Sequence, residues 1–427
     1  MIEPSILKGF KDSLPKEEIA KKNIQRTLED VFSSYGFVPI DTPVLEYENI
    51  LLGKGGGETD KQIFHFEDNG KRKVAMRFDL TVPFARFLAL HFSELAIPFK
   101  RYHIAKAFRG ENPQKGRYRE FIQCDFDIVG ADNASSDFEI LSLMNSSFSA
   151  LGINGYTFCL AHRGLFNEFL SSLMLSDKAT DILRSVDKMR KIGKEKVKQE
   201  LEEITGSGEK TDKIISYISA NENRSFTQTL DYISSLIGEK TESYERMMSI
   251  YSLLDKAGIK EHFVYDPSIT RGLDYYTGIV YETFLSGIES IGSVCSGGRY
   301  NNLVSLYSKE NLPGVGASIG LDRLVAALSE IGSPLVSNTS SADIVVFPKP
   351  GEEEKAQIAA SELRSLGLRT DVYLRPEKKM KAQFEYAEKN SIPYALTFTE
   401  EGYALKNLAT RESKSTLSLR EVKELCL

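Results

Sequence analysis

A chain of 427 residues, 41% hydrophobic and 27% charged, is too long for one ordinary core and has the balance of a soluble globular protein of two or three domains. Its formal charge of -6 excludes a surface coated in positive potential, so any contact with a polyanion has to be local. The start, MIEPSILKGFKDSLPKEE, lacks the basic and apolar segments of a signal peptide, and no apolar run approaches the roughly 18–20 residues of a membrane span, so a cytoplasmic protein is expected. Cys124, Cys159, Cys295 and Cys426 are scattered without zinc or disulfide spacing and read as reduced, structural residues.

In chain order, residues 16–35 predict an amphipathic helix, because Ala20, Ile24, Leu28, Val31 and Phe32 recur about once per turn, and Gly36 stops it. From 37 to 130 the text turns to short strands, FVPIDTPVL, QIFHFED, KVAMRFD, KRYHIAKAFRG and REFIQCDFDIVG, separated by turns rich in Gly, Asn, Asp and Pro. Residues 134–151 return to helix and YTFCLAHR is a strand. Residues 165–258 are charged and helical in pattern, an inserted helical module whose basic stretch DKMRKIGKEKVKQE reads as a solvated helix face. Strands resume at TGIVYETFLSG and SVCSGGRYNNLV, followed by a helix near 316–330 with Leu321, Leu324, Val325 and Leu328 on one stripe. The small polar run 331–341 is a linker. Beyond it, ADIVVFP, a helix at 352–366, LRTDVYL, a helix at 377–390, IPYALTFT and YALKNLA alternate as in a small α/β domain.

Alternation along a strand divides residues 121–128 into an apolar face, Ile122, Cys124, Phe126 and Ile128, and a polar one, Phe121, Gln123, Asp125 and Asp127. Carboxylates are costly to bury without a partner, so the polar row is either the solvent side of a sheet or the floor of a polar ligand site. On the preceding strand Arg109 shares a face with His103, Ala105 and Ala107, small neighbours that leave room for its guanidinium to hold a phosphate or to bridge an acid. Residues 100–119 hold seven Lys or Arg against one acid, Glu111, with Lys115 and Arg117 in a turn suited to a hairpin tip or to a polyanion. RGLDYYTG, 271–278, gathers Arg271, Asp274, Tyr275 and Tyr276 before a strand, suited to a small polar aromatic ligand. Glycines in GGRYNNL and GVGASIGLDRL permit close backbone approach, and Arg323 lies off the apolar stripe of its helix. GSGEKT, 206–211, and GKGGG, 53–57, lack the Gly-Lys-Ser/Thr and preceding strand of a phosphate loop, and five histidines show no metal spacing. No nucleophile elbow is present.

Taken together, TPVLE, RFDLTVP, FRGENPQKGRYREFIQCDFDIVG, RGLDYYTG and GVGASIGLDRL closely resemble the ordered motifs of the histidyl-tRNA synthetase family, over most of residues 7–330. The resemblance implies an α+β class II core, an antiparallel sheet flanked by helices, over 1–330 with the helical insertion at 165–258, a linker at 331–341 and an anticodon-binding-type α/β domain at 342–427. It implies a homodimer built through Gly36 to Glu46, and a ligase that joins L-histidine to tRNA(His) through a histidyl-adenylate, with ATP as substrate and Mg²⁺ accompanying it. By the same resemblance Arg109 and Arg271 hold the α-phosphate and carry catalysis. Glu111, Phe121 and Arg323 address adenine. Asp79 and Thr81 hold the amino group of histidine, helped by Gln123, with Leu80, Arg109 and Arg271 also among the histidine-binding residues; Asp127 and Tyr275 address the imidazole, Tyr276 lines its pocket, and Lys115 and Arg117 face the tRNA acceptor end. Asp125 receives only a supporting role. Asn301 stands where the family commonly has Asp, and Gly110 where a larger residue is common. The alternative is an inactive paralogue such as the regulatory subunit of ATP phosphoribosyltransferase, which generally lacks the C-terminal domain and the arginine motif.

Overall fold

The computed structural model describes residues 1–52, 62–269, 276–310, 312–337, 339–375 and 380–426. Two compact units emerge, Met1–Asp12 with Ile24–Ile331, and Ser13–Asn23 with Gly332–Leu427. The first contains strands β1 (Val38–Pro39), β2 (Leu45–Tyr47), β3 (His65–Glu67), β4 (Lys73–Met76), β5 (Phe99–Phe108), β6 (Glu120–Val129), β7 (Tyr156–His162), β8 (Phe263–Tyr265), β9 (Ile279–Leu285), β10 (Cys295–Tyr300) and β11 (Gly314–Gly320). Among the described residues, a large sheet runs β1-β5-β6-β11-β10-β9-β7-β8 and a small one β2-β4-β3. The inner pairs of the large sheet are antiparallel, as expected, whereas β1 on β5 and β8 on β7 are parallel, so the sheet is mixed at its edges.

Periodicity explains the helices that cover it. Pro15–Ser34 buries Ala20, Ile24, Leu28 and Phe32, and Phe32 packs on Phe126 with ring centroids 4.9 Å apart. Ala134–Ala150 is capped by Asn133, whose side chain accepts from Ser136 N, and buries Ile140, Leu141, Met144 and Phe148. Within 165–258 lie helices Ala179–Asp187, Lys194–Thr205, Gly208–Ile218, Phe226–Ile237 and Glu242–Lys256. GSGEKT is a helix start there, Ser207 capping Gly208–Ile218 by accepting from Lys210 N.

Several elements differ from the expectation, among them the short helices Glu48–Leu52, within the stretch read as strands, and Pro334–Ser337, within the run read as a linker. Thr81–His91 is a helix inside the stretch read as strands, burying Val82, Phe84, Ala85 and Leu88. Pro83 sits in its first turn, where its missing N–H costs nothing. The helix expected from 316 begins only at Leu321, as Leu321–Glu330, because Gly314–Gly320 is a central strand. The expected stripe of Leu321, Leu324, Val325 and Leu328 is buried.

The second unit has strands β12 (Ile344–Val346), β13 (Thr370–Val372), β14 (Tyr394–Phe398), β15 (Tyr403–Asn407) and β16 (Ser413–Leu417), in the order β13-β12-β14-β15-β16. Helices Glu353–Ser365, Lys381–Lys389 and Leu419–Cys426 accompany them. Strand β16 and the last helix extend the pattern beyond the alternation read from sequence. Ile344, Val346, Ala356, Ala360, Leu363, Leu396 and Val422 form its core.

Candidate active site

Pairing of β5, β6 and β11 lays side chains out in rows. Arg101, Asp127 and Gly316 are opposite one another, then His103, Asp125 and Ser318, then Ala105, Gln123 and Gly320. Directly opposed residues share a sheet face. The polar row of β6 is therefore the floor of a cavity rather than a solvated surface: Gln123, Asp125 and Asp127 are 8%, 2% and 3% exposed. A cavity of about 700 Å³ is lined by Asp79, Thr81, Arg109, Gln123, Asp125, Asp127 and Tyr276, with Lys115, Arg117 and Arg323. A smaller one of about 140 Å³ shares Arg109, Arg117, Gln123 and Arg323 with it, and adds Glu111 and Phe121.

At the acidic end Asp127 is held from two sides. Tyr300 Oη donates to Oδ1 at 2.5 Å, and Arg101 Nη2 pairs with Oδ2 at 2.6 Å. The guanidinium approaches outside hydrogen-bonding geometry, so Oδ2 keeps no hydrogen-bond donor among the described residues. Asp79 Oδ1 accepts from Val82 N at 3.0 Å, at the start of Thr81–His91, while its Oδ2 is buried without a donor among the described residues. Gln123 Nε2 donates to Ser318 Oγ at 2.8 Å, leaving Oε1 equally bare. Among the described residues, three buried acceptors on side chains that line the cavity thus lack donors, which is costly unless a ligand supplies them. Burial pushes Asp79 up to about 6, against the Val82 N–H and Arg109, which lower it. Burial likewise pushes Asp125 up to about 7, partly offset by Arg101.

At the other end the groups are cationic and aromatic. Arg109 Nε donates to Phe78 O at 2.9 Å and its guanidinium lies 5.1 Å from the Phe121 ring centroid. Arg323 Nη1 donates to Ser293 O at 2.7 Å, and burial with Arg117 and Arg109 nearby lowers it to about 10. Arg117 donates to Glu111 at 3.2 Å, and Lys115 pairs with Glu330 at 2.8 Å. Such a cluster suits a polyanion reached by planar guanidinium donors. Leu80 lies in neither cavity; it is fully buried, and its carbonyl accepts from Arg101 Nη2 at 3.5 Å. Arg271 and Tyr275 lie outside the described residues. No cluster of three or more His, Cys, Asp or Glu suited to a metal ion occurs among the described residues.

Sequence reasoning missed several participants. Arg101 counts in the basic patch, yet it is fully buried in the acidic floor, the Arg-Asp bridge that Arg109 was the candidate to make. Continuing the alternation two residues back from His103 finds it. Asp322, in GVGASIGLDRL, accepts from Ile122 N at 2.7 Å and ties its helix to β6. Asn301 accepts from Arg299 Nη1 at 3.3 Å and donates to Asp132 at 2.9 Å, a bridge that a carboxylate facing Asp132 would not make. Gly110 N donates to Gln62 O at 2.7 Å, and a β-carbon there would lie 3.2 Å from that oxygen.

The family model described as histidyl-tRNA synthetase matches residues 9–324, and one described as anticodon binding domain matches 343–427. The histidine--tRNA ligase of Treponema denticola is 51% identical over 93% of this chain and 89% of that protein. That of Rhodopirellula baltica is 44% identical over 97% and 95%. The crystal structure of histidyl-tRNA synthetase from Nostoc sp. PCC 7120 superposes with a TM-score of 0.88 at 31% identity, covering 100% of this chain and 99% of that one. The mixed sheet with its buried polar floor, and the separate C-terminal sheet, define an aminoacyl-tRNA ligase of the class II fold. Nothing in these matches favours the regulatory-subunit alternative. The chain belongs to the histidyl-tRNA synthetase family.

Proposed function

We propose that this enzyme activates L-histidine with ATP and transfers the histidyl group to the 3' end of tRNA(His). The observation that carries the reading is a set of buried acceptors that lack donors among the described residues, Asp79 Oδ2, Gln123 Oε1 and Asp127 Oδ2, beside an arginine cluster. An α-ammonium satisfies Asp79 and Gln123, with Thr81 beside them, and an imidazole N–H satisfies Asp127, with Tyr276 and Tyr275 lining its pocket. Phe121 and Arg323 flank adenine, and Glu111 lies near it.

The histidine carboxylate attacks the α-phosphorus, a new O–P bond forms, the bond to the β-phosphate oxygen breaks, and pyrophosphate leaves. Arg109 and Arg271 neutralise charge that spreads over the α-phosphate oxygens in the transition state. No protein nucleophile takes part. Mg²⁺ would accompany ATP as part of the substrate, and Lys115 and Arg117 guide the acceptor end of the tRNA. Exposed Val38, Val44, Leu45, Tyr47 and Phe66, around the first motif, support a homodimer. A cytoplasmic location agrees with the lack, among the described residues, of any helix long and apolar enough to cross a membrane. The test is ATP–pyrophosphate exchange with each of the twenty amino acids: exchange with histidine alone is expected, and silence with histidine overturns the reading.

A further inference from the structure

The floor contains a full positive charge that the reaction does not touch. Arg101 is 0% exposed, and its guanidinium lies 4.2 Å from the Phe84 ring centroid, 2.6 Å from Asp127 Oδ2 and 4.0 Å from Asp125 Oδ2. Its Nε and Nη1 make no hydrogen bond among the described residues. A buried arginine left with unmet donors is a poor device for stability alone, since an apolar residue of similar volume costs less to bury. What it supplies is charge at one place. Stacking on Phe84 pins the guanidinium, and its off-axis approach leaves Oδ2 of the cavity-lining Asp127 without a hydrogen-bond donor among the described residues.

We infer that Arg101 is a positioning residue for substrate specificity: it keeps Asp127 ionised and aimed, so that the pocket selects a side chain that donates a ring N–H. This rests on the histidine reading of the site. Among the described residues, the groups facing Asp127 are Arg101 on β5, Asp125 on its own strand, Tyr300 on β10, and Asp79, Tyr276 and Tyr281 on the cavity wall. Arg101 is the cation among these, and Tyr300 a donor, so of the described groups its removal leaves Asp127 with acids and neutral side chains.

The test compares the unaltered enzyme with Arg101→Met and Arg101→Lys by pyrophosphate exchange across pH, with folding followed by thermal melting. Arg101→Met is expected to raise the KM for histidine about 100-fold, the scale of truncating one partner of a buried charge pair, with the KM for ATP unchanged. The acid limb of kcat/KM for histidine moves to higher pH, because Asp127 loses the cation that favours its charged form. Histidine's own titration is common to all variants and cancels. Arg101→Lys, which keeps the charge without the fork, leaves the limb in place and raises the KM for histidine about tenfold; it decides the matter if the Met variant does not fold. Equal rises in both KM values, or an acid limb that stays put in Arg101→Met, overturn the inference in favour of simple packing. Absence of histidine-dependent exchange in the unaltered enzyme overturns instead the functional reading beneath it.

Discussion

Gly316 faces Asp127 directly across the β11–β6 ladder, and a β-carbon on Gly316 would overlap the aspartate's Oδ1. The space that the carboxylate occupies is the space that a side chain on the next strand gives up. Gly316→Ala is therefore expected to displace Asp127, raising the KM for histidine with a stability loss of about 1–3 kcal/mol from overpacking. Steady-state exchange and a denaturant melt measure both. An unchanged KM would place Asp127 away from the substrate.

Tyr300 and Asp127 make the second hold on that carboxylate. Tyr300→Phe removes a donor to a charged group, worth about 1.5–3 kcal/mol, and should lower kcat/KM for histidine by roughly 10- to 100-fold while sparing the KM for ATP. Parallel loss for both substrates would mean that Tyr300 supports the whole sheet rather than this end of the cavity.

Asp125 gives a stability signature that depends on pH. Its ordinary value of 3.8 is pushed up to about 7 by burial. Between those values the folded protein holds a proton that the unfolded chain has released, so this group's contribution is fully present below 3.8 and is lost as pH rises toward 7. Asp125→Asn should melt much like the unaltered protein near pH 4 and above it at pH 8, the gap widening by up to about 1.4 kcal/mol per pH unit across the window. A gap that does not change with pH would show that Asp125 does not titrate there.

The polar floor was legible because a strand's period is two, and one glance at residues 121–128 separates acids from apolar residues. Its counter-charge was not, because Arg101 stands in a run of lysines and arginines whose simplest account is solvent. Gly314–Gly320 was misread since glycines satisfy either period, and only the neighbours Asp127 and Tyr281, which fill the space beside Gly316 and Gly297, explain why a strand there must be bare. Thr81–His91 escaped because one short apolar turn after a strand, with Pro83 inside it, resembles another strand entry.

Arg109 is expected to be the least replaceable of the described cations. Arg109→Lys keeps the charge but loses the planar fork proposed to grip the phosphate and the stacking on Phe121, and should lower kcat for exchange by about 100-fold or more. Arg323→Met, by contrast, should raise the KM for ATP with a smaller effect on kcat. Equal and small effects from both would move the phosphate elsewhere.

Phe121, Gln123 and Asp127 sit at fixed intervals on one strand, and six residues of strand span about 20 Å. On the proposed reading β6 is thereby a ruler laid under the ligand, with the nucleotide read at one mark and the ring of the amino acid at another. Its graduations belong to the peptide repeat rather than to any loop. A single inserted residue between Phe121 and Asp127 would not lengthen the scale slightly; it would turn half of its marks to the far side of the sheet.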